Sequence, residues 1–172
     1  YAVGDCAESV HLLTGKHEYG PLGSVSTKMG RMAADSITGK EVHFTGSLGT
    51  TMFTCFDLRV ARTGLTRRKA AETGYSPETV VITGTDKSAH HGERGTLFVE
   101  VCCDTETRRI LGAQAIGSGD VAGKISLFAV CISAGMTLSE VFSLDLGYAP
   151  DFNQPIDIIQ TACGVLENKL DG

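Results

Sequence analysis

The amino-acid sequence predicts an α+β fold with a mostly antiparallel central sheet and helices packed on one side of it. Strand-like segments cluster in the middle of the chain, helical segments follow them, and two strands are joined by a short polar turn. Hairpin pairing and helices grouped on one side are typical of α+β domains, whereas a doubly wound parallel sheet alternates strands with helices. A Gly- and Thr-rich stretch at residues 42–51 predicts a boundary near residue 50.

Residues 1–50 are predicted to contain one helix and a turn that carries a carboxylate. The apolar run that ends in Gly4-Asp5 predicts the end of a buried strand followed by a turn, and residues 9–20 predict a loop. A helix is predicted over residues 21–37, because proline suits the first turn of a helix and Gly39 is a typical stop just beyond the end.

Residues 51–172 are predicted to supply the sheet and the helices that cover it. Alternation and β-branched residues predict four strands. They cover residues 52–60, 79–83, 96–103 and 109–116. Helical spacing of apolar residues and glycine stops predict three helices. They cover residues 66–73, 121–134 and 155–166. Thr137 with Glu140 three residues later is a capping-box pattern, which predicts a further short helix.

Composition and charge restrict the possible classes of function. The 172 residues are 42% hydrophobic and 20% charged, with a net charge of -5, which fits a globular domain and argues against a nucleic-acid partner. The most apolar stretch, residues 121–136, is interrupted by Lys124 and is too short to span a membrane, so no membrane partner is predicted. The six cysteines form no CxxC motif, which indicates a reducing, cytoplasmic compartment.

Several motifs, met in order along the chain, resemble one enzyme family. They are Tyr-Ala-Val-Gly-Asp-Cys-Ala-Glu at residues 1–8, Gly30-Arg31 with Ala33-Ala34, Phe56-Asp57-Leu58 through Thr63-Gly64-Leu65, and Tyr148-Ala149-Pro150-Asp151-Phe152. Together they resemble the second flavin-contacting motif, the helix after it and the dimerisation domain of the pyridine nucleotide-disulfide oxidoreductases. The last motif is similar to the subgroup of coenzyme A-disulfide reductases, NADH oxidases and NADH peroxidases.

The resemblance implies a division of labour between the two parts of the chain. Residues 1–50 would be the C-terminal remnant of an FAD-binding domain, and residues 51–172 the dimerisation domain. The intact enzyme would use FAD and NAD(P)H and pass electrons to a small-molecule disulfide, oxygen or peroxide. This part would form a homodimer and complete the flavin site, but alone it would be inactive and retain no FAD. The alternative is a free-standing dimerisation module without catalysis, which has no glycine-rich nucleotide-binding loops upstream.

The resemblance assigns five residues to the flavin. They are Gly4, Asp5, Pro21, Leu22 and Gly23. The Asp5 carboxylate would hold a hydroxyl of the ribityl chain, because an ionised carboxylate is a strong acceptor. The helix start at residues 21–23 would face the flavin ring, where its free N–H groups stabilise negative charge. The alternatives are an ordinary turn aspartate and a helix start that faces solvent.

Two residues are candidates for catalysis. By resemblance, Tyr148 lies near the active site of the partner subunit and serves substrate binding or proton transfer; the alternative is an interface aromatic. His91 stands in a His90-His91-Gly92 trio where many relatives have Tyr-Tyr-Pro. This replacement argues against reduction of coenzyme A disulfide itself. A third hypothesis, a metal-binding protein built on these histidines, is disfavoured because their spacing matches no structural zinc pattern, so no metal is predicted.

Overall fold

The computed structural model describes residues 1–42, 44–88 and 94–172. The chain forms two compact units, Tyr1–Gly49 and Thr50–Gly172. The predicted α+β class is confirmed, because the second unit contains a five-stranded antiparallel sheet with helices against it. Within the described residues, no helix is long and apolar enough to cross a membrane.

The first unit holds a short helical turn, a two-stranded sheet and one long helix. A 3₁₀ turn spans Gly4–Cys6, β1 (Ser9–Val10) pairs antiparallel with β2 (His17–Glu18), and α1 covers Gly23–Ile37. One prediction for this unit is wrong, and another finds no partner strand among the described residues. No strand precedes Gly4, where Tyr1 and Ala2 are exposed and pair with no described strand. The predicted loop at residues 9–20 contains the paired strands β1 and β2, which are too short for a periodic pattern to indicate.

The described residues of the second unit form five strands and four helices. In chain order they are β3 (Thr51–Cys55), β4 (Leu58–Gly64), α2 (Arg67–Glu72), β5 (Pro77–Thr85), β6 (Thr96–Asp104), β7 (Ile110–Gly117), α3 (Val121–Ser133), α4 (Leu138–Phe142) and α5 (Ile158–Asp171). The strand order in the sheet is β3-β4-β7-β6-β5, and each neighbouring pair is antiparallel. The predicted hairpin at residues 96–116 corresponds to β6 and β7.

The segment at residues 52–60, predicted as one strand, is a hairpin of two. Cys55 pairs with Leu58, so the chain reverses at Phe56 and Asp57. Phe56 has a φ of 52°, a left-handed conformation that phenylalanine rarely adopts. Turn residues such as Asn-Gly would have marked this reversal in the sequence, and Phe-Asp gives no such signal.

The two faces of the sheet differ in what covers them. Leu97, Val99 and Val101 of β6 are fully buried, and the residues between them point to the other face. The buried face packs against α3, which contacts β4 and β7, and against α5, which contacts β5 and β6. We call the opposite side the outer face. It exposes four large apolar side chains on four strands: Phe53, Val81, Phe98 and Ile116.

Capping contacts fix the starts of the helices that cover the sheet. The Asp120 side chain caps α3, and Thr137 with Glu140 forms the predicted capping box of α4. A second capping box, Asp157 with Gln160, makes α5 begin at Ile158 rather than at residue 155. The predicted last helix is therefore present but starts later and runs on to Asp171.

Candidate functional site

The first candidate site lies in the Tyr1–Gly49 unit, where Asp5 meets the first turn of α1. The hydroxyl of Ser26 donates a hydrogen bond to Asp5 Oδ1 at 2.7 Å. Gly4 has a φ of +76°, which lets the chain turn so that the next residue reaches the helix. The Asp5 side chain remains exposed to solvent. The carboxylate is thus oriented by one serine and open on another side, a geometry that leaves it able to accept further hydrogen bonds.

The start of α1 differs from the prediction by two residues. Leu22 is the N-cap residue, and the helix proper begins at Gly23. The Leu22 amide is already used, since it donates to the Gly20 carbonyl at 2.8 Å, and Pro21 has no N–H. Ser26 N is the first amide to bond back into the helix, to Leu22 O. The amides that precede it belong to residues 23–25.

The N-cap residue of α1 does not cap the helix start with its side chain. The Leu22 side chain makes no capping hydrogen bond, because leucine has no acceptor. The amides of residues 23–25 therefore point out from the N-terminus of the helix, where the helix dipole places a partial positive charge. Of the three residues predicted at this helix start, Gly23 has an amide that precedes the first bond within the helix, whereas Pro21 has no N–H and the Leu22 amide is used. Sequence reasoning missed Ser26, Ser24 and Val25.

The second candidate site lies in the Thr50–Gly172 unit, on the segment between α4 and α5. Tyr148 is in this segment and is 49% exposed. The backbone amides of Phe152 and Asn153 donate to the Ala149 carbonyl at 2.9 and 3.0 Å, which closes a tight turn directly after the tyrosine. Gln154 Nε2 donates to Thr85 Oγ1 at 2.9 Å and so ties this segment to the end of β5.

His91, the other catalytic candidate, lies outside the described residues. The described positions on either side of it are joined by Asp86, which is buried. Asp86 Oδ1 accepts from the Gly95 amide at 2.7 Å, and Oδ2 accepts from the Asp120 amide at 3.0 Å. Asp86 therefore has both carboxylate oxygens bound to backbone amides. In the described part of the chain, no group of three His, Cys, Asp or Glu residues could hold a metal.

Four of the five cysteines in the second unit are buried. All six are free thiols, and Cys102, Cys103, Cys131 and Cys163 are buried. Burial raises the pKa of Cys102 to about 12 and that of Cys103 to about 11. Burial also raises the pKa of the Cys131 and Cys163 thiols. Since the thiolate is the reactive form, these four residues are structural.

Comparison with known proteins identifies the family. The model of the pyridine nucleotide-disulphide oxidoreductase dimerisation domain matches residues 50–157. The chain belongs to this family. The resemblance read from the sequence motifs is therefore confirmed.

Named oxidoreductases are similar to this chain in sequence, and solved structures are similar to it in fold. An NAD(P)H sulfur oxidoreductase (CoA-dependent) from Pyrococcus furiosus is 40% identical over 88% of the chain and 34% of its own length. An NADH oxidase from Streptococcus pyogenes is 30% identical over 94% of the chain and 36% of its own. The structure of an NAD-dependent persulfide reductase from A. fulgidus superposes with a TM-score of 0.97 at 35% identity, covering 100% of the chain and 32% of that protein. The chain thus spans about a third of the length of these relatives.

Proposed function

We propose that this pyridine nucleotide-disulfide oxidoreductase chain is the C-terminal part of an FAD-dependent NAD(P)H oxidoreductase of the coenzyme A-disulfide reductase and NADH oxidase kind. Residues 1–50 end the FAD-binding domain, and residues 51–172 form the dimerisation domain. Asp5 and the amides at the start of α1 would hold FAD, which would supply hydride acceptance from NAD(P)H and electron transfer to a small-molecule disulfide, oxygen or peroxide. The names of the relatives, sulfur oxidoreductase and NADH oxidase, support this range of acceptors. Six free thiols support a cytoplasmic location.

The observation that carries this proposal is the open carboxylate of Asp5 beside the uncapped start of α1. The carboxylate is exposed and held by Ser26, so it can bind a ribityl hydroxyl without first breaking away from a buried partner. The amides of residues 23–25 can donate to the flavin ring, where reduction places negative charge. Gly4 and the backbone at Pro21 and Leu22 shape the contact. These groups fit a flavin, and alone they are too few to retain one.

Removing the Asp5 carboxylate from the full-length protein tests the flavin assignment. We expect Asp5→Ala to raise the dissociation constant of FAD by about tenfold or more, because a hydrogen bond to a charged group contributes about 1.5–3 kcal/mol. Asp35→Ala, which removes a carboxylate elsewhere on α1, is the matched control. Fluorescence titration of each apoprotein with FAD measures the dissociation constant of FAD for both variants. Equal affinities in the two variants would overturn the assignment.

Tyr148 is proposed to act at the active site of the partner subunit. Its half-exposed phenol can donate or accept a proton or bind substrate. Tyr148→Phe in the full-length protein is expected to lower kcat/KM without loss of FAD. His91 is proposed for the same site on the resemblance alone, and His91→Ala tests it with the same assay. An unchanged rate in both variants would exclude a catalytic role for both residues.

The chain is also proposed to pair with a second copy through the surface between α4 and α5. A groove of about 320 Å³ lies there, lined by Phe142, Ile156 and Val165, all of which are exposed apolar residues. Ile156 belongs to the segment that carries Tyr148. If Tyr148 serves the partner, the contact between subunits must reach this segment, which favours the groove over the outer face of the sheet.

Matched charge insertions on the two surfaces test this contact. Val165→Glu places a carboxylate at the groove, and Val81→Glu places one on the outer face, at residues that are 41% and 60% exposed. We expect Val165→Glu to shift the full-length protein toward monomer in sedimentation experiments and Val81→Glu to leave the dimer intact. The reverse result would move the interface to the outer face.

A further inference from the structure

Lys124 is the one buried lysine or arginine among the residues that the structure describes. It lies in the first half of α3, between the buried residues Val121, Ile125 and Phe128. Its side chain is 9% exposed and forms an ion pair with Asp157, whose side chain is 2% exposed. A charge at this depth is costly unless it is paired, so the ammonium needs its acceptors.

The two acceptors of Lys124 each do a second task in the segment before α5. Asp157 accepts from Nζ through Oδ2 and caps α5 through Oδ1, which accepts from the Ile159 amide at 3.0 Å. Asn153 Oδ1 accepts from Nζ at 3.0 Å. The ammonium therefore joins α3 to two points of a segment that has no regular secondary structure between α4 and α5.

Asn153 in turn makes contacts on both sides of Tyr148. Its backbone amide donates to the Ala149 carbonyl at 3.0 Å, and its side-chain Nδ2 makes a longer contact of 3.5 Å with the Gly147 carbonyl. The residues before and after the tyrosine are thus both held by one asparagine, and that asparagine is held by Lys124. This connects the interior of α3 to the position of an exposed phenol.

Stability alone does not account for a charge at this place. A buried ion pair is often replaced by apolar residues without loss of stability, because desolvation offsets the attraction between the charges. A methionine at position 124 would match the apolar neighbours in α3. What an apolar side chain cannot do is orient the Asn153 carbonyl oxygen and the Asp157 carboxylate at the same time.

We propose that Lys124 is a positioning residue that fixes Tyr148 through Asn153 and Asp157. The proposal rests on the function proposed above, in which the Tyr148 phenol works at the partner subunit's active site. Lys124 itself touches no substrate. Its ammonium sets the path of the backbone at residues 147–149, and the angle at which the phenol leaves the segment follows from that path.

The test uses the full-length enzyme with the double substitution Lys124→Met/Asp157→Asn. This variant removes both charges together, so no buried charge is left unpaired, and asparagine still caps α5. Lys169→Met is the matched control, because it removes an exposed lysine ion pair in α5. The enzyme is labelled with 3-fluorotyrosine, and the ¹⁹F signal that disappears in Tyr148→Phe belongs to Tyr148. We expect this signal to shift or broaden in the double variant and to be unchanged in the control.

The kinetic part of the test asks whether Lys124 acts through Tyr148. We expect Lys124→Met/Asp157→Asn to lower kcat/KM by about ten- to hundredfold, as misplacement of an active-site group can do, with FAD content unchanged. Adding Tyr148→Phe to this variant should cause no further loss. An additive loss, or an unchanged rate, overturns the proposal.

The two proposals can fail separately. An unchanged ¹⁹F signal overturns the positioning role whatever the kinetics show. A shifted signal together with full activity of Tyr148→Phe overturns the proposed function of Tyr148 and, with it, the catalytic purpose of Lys124. Should the double variant fail to fold, Lys124→Arg keeps the charge but changes its reach, and the same shift of the signal is expected.

Discussion

Replacing Asp104 with alanine should destabilise the second unit more than the loss of a surface aspartate would. Asp104 ends β6 and is 5% exposed. Its Oδ1 accepts from the Ser76 amide at 3.1 Å, and its Oδ2 accepts from the amide and the hydroxyl of Thr107 at 3.1 and 2.7 Å. One carboxylate thus holds both the β6–β7 turn and the approach to β5.

The size of the loss follows from these three contacts. Hydrogen bonds to a charged group contribute about 1.5–3 kcal/mol each. The two bonds from Thr107 share one oxygen, and water can reach the turn once the side chain is removed, so the sum overstates the effect. We expect Asp104→Ala to lower the free energy of unfolding by about 3 kcal/mol.

The same contacts make the contribution of Asp104 depend on pH. Burial by itself raises the pKa of the Asp104 carboxyl, but hydrogen bonds from Thr107, Ser76 and Glu106 outweigh burial and hold the pKa below its ordinary value of 3.8. As the pH falls, the unfolded chain binds a proton at this carboxyl before the folded chain does. The stabilisation is therefore fully present above the ordinary value and is lost as the pH falls through the lowered one.

Urea unfolding at a fixed protein concentration measures the loss of unfolding free energy in Asp104→Ala and its dependence on pH. Asp57→Ala, at the exposed turn of the β3–β4 hairpin, is the control and should change the unfolding free energy by less than about 0.5 kcal/mol. The difference between wild type and Asp104→Ala should shrink as the pH is lowered from about 7 toward 3. A loss no larger than that of the control, or a difference that grows in acid, would refute the reasoning.

Two further predictions concern thiols and the β3–β4 turn. A thiol reagent at about pH 8 should modify Cys6 and Cys55, which are exposed, and reach the four buried cysteines, whose pKa values are raised, only in denaturant; four or more fast-reacting thiols in the native chain would contradict this. Phe56→Gly should raise the free energy of unfolding by roughly 0.5 kcal/mol, since glycine adopts the positive φ without strain. Phe53→Gly, within β3, should lower it, and equal effects at both positions would argue against strain at Phe56.

Strong periodicity made most of the second unit predictable. The first half of β6 alternates between buried and exposed residues, and α3 buries residues at helical spacing. The capping box of α4 is fixed by two residues three apart. The reversal at Phe56 was missed because no turn residue marks it. The strand predicted before Gly4 has no partner among the described residues: an apolar run shows a preference for burial, while a strand also requires a neighbour to pair with.

The candidate sites were predictable only at the residues that carry a motif. Asp5 and Tyr148 could be named from the sequence, but Ser26, Asn153 and Asp157 could not. Their contacts with Asp5, Ala149 and Lys124 join residues that are 21, 4 and 33 positions apart and follow from the folded path of the chain. One signal was nevertheless present. Lys124 stands in α3, whose other buried residues are apolar, and there a charge must find an acidic partner or destabilise the fold. A lysine in such a place therefore predicts a buried carboxylate elsewhere in the sequence, and the segment that supplies it is held more rigidly than its loop-like composition indicates.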